Sequence, residues 1–227
     1  MDSNVTVFEG IEILYEDNHL IVCVKPAGVL SQSDGTDAPD MLTILKRYIK
    51  QKYDKPGEVY LGLVHRLDRP VSGVMVFART SKAASRLSEQ IRSGKTVKCY
   101  RCIVNGVVEG EGKLENYILK DGKTNTVTVY DSPVRDAKFA QLEYKTVRSE
   151  GSMTLVNIKL GTGRAHQIRA QLAHFGHPIA GDRRYGRDEG TGYDIALQSY
   201  RLEFEHPTKK EHMIFEIPVP SLRPWFS

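Results

Sequence analysis

The stretch "HRLDRPVSG", residues 65–73, lies between two apolar runs, Val59–Val64 and Val74–Ala78. Runs of that kind read as buried strands. A turn joining two strands normally uses small polar residues with one or two charges. Here His65, Arg66 and Arg69 crowd around one carboxylate, Asp68. Asp68 is therefore either a solvated turn residue or a reactive group, and the rest of the chain has to decide which.

Upstream, "IEILYEDNHLIVCVKPAG" reads as a strand, a turn at Glu16–His19, and a second strand ending at Pro26. Asp40 is placed to cap a helix over Met41–Tyr53, with Leu42, Leu45 and Ile49 on one side. "GEVYLGLVH" and "GVMVFART" read as strands, and Ser81 as the cap of an amphipathic helix stopped by Gly94. Downstream come the strand-like "VKCYRCIVNGVV", "LENYILK", "TNTVTVY", "AKFAQLEYKTVR" and "MTLVNIKL". "AHQIRAQLAHFG" is a third helix signal, and "ALQSYRLEFEHP" and "HMIFEIPVP" close the chain as strands. Many strands and three helices in no βαβ rhythm predict an α+β fold around a mixed, mostly antiparallel central sheet flanked by helices and loops. No repeat or low-complexity linker interrupts residues 1–227, so a single catalytic-size domain is expected.

With 40% hydrophobic and 26% charged residues the chain has enough apolar material for a core without staples. Three cysteines, Cys23, Cys99 and Cys102, cannot all pair, which predicts a reduced, cytoplasmic protein. The acidic start has no long apolar centre, and no stretch approaches the roughly 18 apolar residues of a membrane span. Nothing resembles a heptad seam, so a monomer is expected.

The net charge of +4 is uninformative, but its distribution is not. Residues 1–20 hold Asp2, Glu9, Glu12, Glu16 and Asp17 and no Lys or Arg. Residues 79–101 hold Arg79, Lys82, Arg86, Arg92, Lys95, Lys98 and Arg101 against Glu89. Residues 159–187 hold Lys159, Arg164, Arg169, Arg183, Arg184 and Arg187 against Asp182 alone. Two basic blocks suggest one face for a polyanion; scattered solvated faces are the alternative. In "GTGRAHQIRAQLAHFGHPIAGDRRYG", residues 161–186, the glycines at 161 and 163 deliver the chain into a helix whose first turns carry Arg164, His166, Gln167 and Arg169. Cations there oppose the helix dipole and so call for an anion, either a phosphate or a buried carboxylate.

"HRLDRPVSG" together with "GRAHQIRAQLAHFGHPIAGDRRYG" resembles the RluA-type pseudouridine synthase family. "YEDNHLIVCVKPAGVL" is similar to that family's opening strand pair, "KCYRCIVNG" to its Lys-x-Tyr strand, and "ALQSYRLEF" to its closing segment. The resemblance runs from about residue 11 to about residue 217. It implies the pseudouridine synthase catalytic fold, with no N-terminal RNA-binding appendage. It also implies roles: Asp68 as the catalytic aspartate, Tyr100 as the tyrosine stacking on the target base, and Arg169 as the arginine paired with the aspartate. Arg66 is implied to fill the gap left by the extruded base, and Leu197 to line the pocket. The chain departs from the family pattern at Val71, where many relatives have Thr, and at Gln198-Ser199, where many have His-Ala.

Chemistry agrees with these assignments. Turning uridine into pseudouridine breaks the N1–C1′ bond, rotates the uracil and joins C5 to C1′. A carboxylate near the sugar serves as nucleophile or proton-transfer agent. A nearby guanidinium keeps it ionised against burial. Stacking on an aromatic ring contributes about 1–3 kcal/mol per base, against a cost of a few kcal/mol for extruding the uridine. RNA, ribosomal or transfer, is the expected partner, and the reaction requires no metal or redox cofactor. Cys99-x-x-Cys102 is half a zinc pattern without its second half, and His65, His166, His174 and His177 lack metal-protease spacing. His65 is expected to orient its motif by hydrogen bonding. Two other readings are a non-enzymatic RNA chaperone or ribosome-assembly factor on the same fold, and a glycosidase-like hydrolase. The latter would need a second carboxylate that the motif does not offer.

Overall fold

The computed structural model describes residues 6–186, 194–221 and 224–226. Asp2 and Arg187 lie outside the described residues. Along the chain run β1 (Thr6–Phe8), β2 (Ile11–Glu16), β3 (Leu20–Lys25), α1 (Met41–Lys52), β4 (Gly62–Leu63), β5 (Ser72–Ala78) and α2 (Ser81–Arg92). Then come β6 (Val97–Asn105), β7 (Glu111–Asp121), β8 (Thr126–Tyr130), β9 (Lys138–Glu150), β10 (Met153–Leu160), α3 (Gln167–His174), β11 (Leu197–Glu205) and β12 (His212–Glu216). Strands dominate and the named pairings are antiparallel, so the α+β class expected from the sequence is the observed one. The chain forms two compact units: Met1–Val97 with Arg201–Ile217, and Lys98–Tyr200 with Pro218–Ser227. None of the described helices is long and apolar enough to cross a membrane.

In the first unit the strand order is β1-β2-β3-β5, with β4 also on β5 and a β11–β12 hairpin closing it. β3 and β5 are buried almost throughout, which is why "LIVCV" and "GVMVFA" read as unbroken apolar runs and not as alternating ones. Asp40 caps α1 as expected, its carboxylate accepting from Thr43 N at 3.1 Å. The buried stripe of α1 is Met41, Ile44, Leu45, Tyr48 and Ile49, so Leu42 lies at its edge. The cap of α2 is Thr80, one residue before the expected Ser81. Thr80 has the extended backbone a cap needs, and its hydroxyl accepts from Ala83 N at 3.1 Å. "GEVYLGLVH" yields only the two residues of β4. Past Leu63 the position facing β5 is taken by a side chain: His65 Nε2 accepts from Val76 N at 3.0 Å.

Arg79, counted above with a basic face, is used internally. Its guanidinium donates to the Glu16 carboxylate and to Asp17 O at 2.7 and 2.6 Å. Glu16 also accepts from Tyr48, Lys52 and Tyr53, tying β2 to α1 and to the end of β5.

In the second unit the order is β6-β10-β9-β7-β8. α3 is buried on nearly every side, from Gln167 to Leu172. A helix so enclosed has to pair its polar groups internally; Gln171 Nε2 donates to Asn116 Oδ1 at 2.8 Å, while Gln171 Oε1 is left without a partner among the described residues. Beneath it Ile118, Val127, Ala140 and Ala170 form an apolar cluster, with Ala165 and Tyr185 packed against it. Arg101, a second member of the first basic block, is also internal: it is buried and stacks over the Tyr200 ring at 4.0 Å.

Candidate active site

The first unit contributes the loop that carries Asp68. Two buried side chains hold it. Ser31 binds both backbone groups of Leu67, accepting from its N–H at 3.1 Å and donating to its carbonyl at 2.8 Å. Lys25, with 0% of its surface exposed, spends its ammonium protons on the carbonyls of Pro26, Val29 and Arg69, at 3.0, 2.6 and 3.0 Å. Three acceptors are the full capacity of an ammonium group. Gly28 N donates to Arg69 O at 2.9 Å, Arg69 Nε to Gly28 O at 3.0 Å, and Val71 N to Asp68 O at 3.0 Å. His65 anchors the loop's other end on β5. Leu67 and Val71 point into the core, Asp68 is half-buried, and Arg66 is exposed.

Burial pulls the Lys25 ammonium down to about 8, and the charge of Asp68 offsets part of that pull. Lys25 is a functional candidate that the sequence reading passed over. In the chain it is an ordinary Lys-Pro at a strand end, and one of its three acceptors, Arg69 O, lies on a loop distant in sequence.

The second unit gathers the residues of the 161–186 stretch. The loop 161–166 is pinned to β9: Gly161 N, Thr162 N and Gln167 Nε2 all donate to Gln141 O, at 3.0, 3.2 and 2.9 Å. Gln167 Oε1 accepts from Thr162 Oγ1 at 2.8 Å and from Arg164 N at 2.9 Å. The amide of Gln167 therefore organises the loop. His166 occupies the cap position of α3 in the left-handed region, φ 51° and ψ 19°, without a side-chain cap. That conformation costs a non-glycine residue about 1 kcal/mol, and the 2.7 Å hydrogen bond between His166 Nδ1 and the Tyr185 hydroxyl helps to hold it. Tyr185 in turn accepts from Val127 N at 3.0 Å.

The anion that the cations of α3 call for is, at Arg169, a buried carboxylate. Arg169 Nε and Nη2 donate to the two oxygens of Asp182 at 2.8 and 2.7 Å, a bidentate pair with both side chains buried. Asp182 also accepts from Arg184 N at 2.9 Å and Tyr185 N at 3.2 Å. Burial would raise the Asp182 carboxyl, but Arg169 and the two backbone donors outweigh it and hold it below the ordinary carboxylate range. The Arg169 guanidinium lies 5.2 Å from the Tyr185 ring centre. Asp182 too was missed as a site residue, although its signal was visible: it is the lone acid among six cations. Arg164 is exposed, with Nε donating to Phe139 O at 2.9 Å. Tyr100 is 8% exposed on β6, opposite Ile158 of β10, and Leu197 is buried at the start of β11.

Two immobilised clusters, one around a half-buried carboxylate and one around a buried arginine, define an enzyme class once the chain's relatives are considered. Residues 19–174 match the family described as RNA pseudouridylate synthase, and the chain belongs to that family. It is by that membership an RNA pseudouridine synthase, an isomerase. An uncharacterised RNA pseudouridine synthase of Aquifex aeolicus is 35% identical over 92% of this chain and 70% of its own length. The ribosomal large subunit pseudouridine synthase D of Nitrosomonas europaea is 33% identical over 92% of this chain and 62% of its own. The tRNA pseudouridine synthase C of Vibrio parahaemolyticus is 32% identical over 92% of this chain and 90% of its own. Among solved structures, human RNA pseudouridylate synthase domain containing 4 superimposes with a TM-score of 0.77 at 24% identity, over 92% of this chain and 88% of that one. That likeness shows the fold.

Proposed function

We propose that this chain isomerises specific uridines of ribosomal or transfer RNA, with Asp68 as the carboxylate that acts at the sugar. The observation that carries the reading is the loop of residues 65–71. In a member of this family, it holds a half-buried carboxylate on a backbone fixed by Ser31, Lys25 and His65. Preorganisation of this kind is what a reacting group needs, because a misplaced carboxylate loses the alignment on which its rate depends. The chemistry is balanced within the nucleotide. The N1–C1′ bond breaks, the C5–C1′ bond forms, C5 loses a proton and N1 gains one. No redox equivalent enters or leaves, so no redox cofactor is required.

In this reading Tyr100 gives the uracil a face to stack on, and Leu197 lines the apolar side of the pocket. Arg66 takes the space the extruded base vacates. His65 and Gln167 hold the two loops, while Arg164 and His166 meet the RNA. The ribosomal and transfer RNA targets are proposed because relatives carrying each name match over nine-tenths of this chain. A cytoplasmic monomer is the form in which we propose it works. The test is to incubate the purified protein with total RNA from a strain lacking it and to map pseudouridines. New pseudouridine at one or a few positions supports the reading. Release of free uracil would favour hydrolysis, and RNA binding without either product would favour the chaperone reading.

A further inference from the structure

The second unit carries a cavity of about 410 Å³ outside the residues given roles above, apart from Arg164. Its position follows from strand register. Ile118 of β7 faces Lys138 of β9, and Lys120 of β7 faces Val127 of β8. Directly paired residues, and residues two apart on one strand, share a face of a sheet. Ile118, Lys120, Val127 and Lys138 therefore lie on one face. It is the face that packs Ala170 of α3, since Ile118 and Val127 belong to the apolar cluster containing Ala170. α3 begins only at Gln167, so the strip of sheet beyond its first turn is left uncovered, and the cavity occupies that strip.

The lining has two characters. Ile118 and Val127 are buried and form an apolar floor, flanked by Ala165. Lys120, Lys138 and Arg164 are exposed at the rim, where Asp136 is the one acid in the lining. Arg164 is held in place by its bond to Phe139 O. An apolar floor with three cations above it suits a ligand that is flat or apolar on one side and anionic on the other. A nucleotide of RNA has both, and its phosphodiester is the kind of charge such a rim recognises. The floor also connects to the arginine cluster: Val127 N donates to the Tyr185 hydroxyl, which shares a hydrogen bond with His166, and the Tyr185 ring lies beside Arg169.

We propose that this cavity is a subsite for an RNA nucleotide neighbouring the target uridine, with its phosphodiester on Lys120, Lys138 and Arg164 and its base or ribose on Ile118 and Val127. The assignment rests on the RNA-modifying reading above. It adds a place where sequence or shape next to the modified uridine is sensed.

The test uses the full chain and two variants of opposite sign. Lys120→Gln/Lys138→Gln removes two rim cations. Asp136→Asn removes the acid, and Asn tolerates the positive φ of 65° at that position. Binding of a fluorescein-labelled single-stranded oligoribonucleotide is measured by anisotropy across a salt series. Two lost phosphate contacts are expected to weaken binding at least tenfold at low salt and to flatten the slope of log K against log salt by about 1.4. Asp136→Asn is expected to tighten binding two- to threefold. In pseudouridine formation on total RNA, the double lysine variant is expected to raise KM far more than it lowers kcat. Binding within twofold of wild type for both variants, with an unchanged salt slope, overturns the subsite; with an active wild type, the enzymatic reading is then untouched. Conversely, a wild type that forms no pseudouridine, while the variants shift RNA affinity as expected, overturns the enzymatic reading and leaves an RNA-binding subsite. Equal displacement of RNA from wild type and the double variant by millimolar UMP or inorganic phosphate would also count against the subsite.

Discussion

Removing the carboxylate of Asp182 should destabilise the protein more than any surface charge change can. The side chain is wholly buried, and it accepts two bonds from Arg169 and one each from the backbone of Arg184 and Tyr185. Replacing it by alanine strips a buried guanidinium of its bidentate partner and leaves two backbone donors short of an acceptor. Breaking a buried pair from one side costs about 3–5 kcal/mol. Asparagine keeps an oxygen for the backbone donors but not the charge, so Asp182→Asn should cost about 2 kcal/mol. Urea unfolding of the three proteins, followed by circular dichroism at pH 7, reads both values. The acid limb supplies a second check. Asp182 is held below its unfolded value, so its contribution is full above the ordinary carboxylate range and is lost as pH falls through the folded value. Wild type and Asp182→Ala should therefore converge in strong acid and stay apart between pH 5 and 8. An alanine variant within about 0.5 kcal/mol of wild type at pH 7 would refute the argument that this pair anchors α3.

Other expectations follow from the same geometry. Lys25 is held at about 8 against an ordinary 10.5, so the unfolded chain binds more protons between those values and stability should rise with pH across that window. The rise, about 3 kcal/mol at most, is measured as the difference between wild type and Lys25→Met in urea at pH 7.5 and 10. Equal slopes for the two proteins would contradict it. Thr80→Ala and Asp40→Ala each remove a helix cap and should cost about 1 kcal/mol in thermal or urea unfolding, near-additively because they serve different helices. Burial pushes the Cys23 and Cys102 thiols far up, whereas Cys99 is partly exposed. A thiol reagent at pH 8 should therefore label Cys99 in the native protein and the other two only after unfolding, read by peptide mass spectrometry.

Much of this architecture was legible in the residues. β3 and β5 announced themselves as unbroken apolar runs because both faces are covered, and Asp40 announced α1 because a cap leaves a local signature. Local signals also misled by small steps. Ser81 looked like the cap of α2, but the residue with the extended backbone is Thr80. Val59–Val64 looked like a strand, but its ladder on β5 ends where the His65 ring takes over. Within the basic blocks not every cation is available to a polyanion. Charge counts cannot tell Arg79, clamped on Glu16, or Arg101, stacked on Tyr200, from an arginine that faces solvent. Lys25 was missed because Arg69 O reaches it only through folding, and Asp182 because a lone acid among six cations does not show which of them it pairs with.

The central claim is that Asp68 carries out the isomerisation on the loop that Lys25, Ser31 and His65 hold in place. The direct measurement is pseudouridine content, by mass spectrometry of nuclease-digested RNA, after total RNA from a strain lacking the protein is incubated with wild type or with Asp68→Asn. Wild type should restore pseudouridine at defined positions, and Asp68→Asn, folded as judged by circular dichroism and still binding RNA, should restore none. Pseudouridine formed by the folded Asp68→Asn protein at a rate near that of wild type would contradict the account.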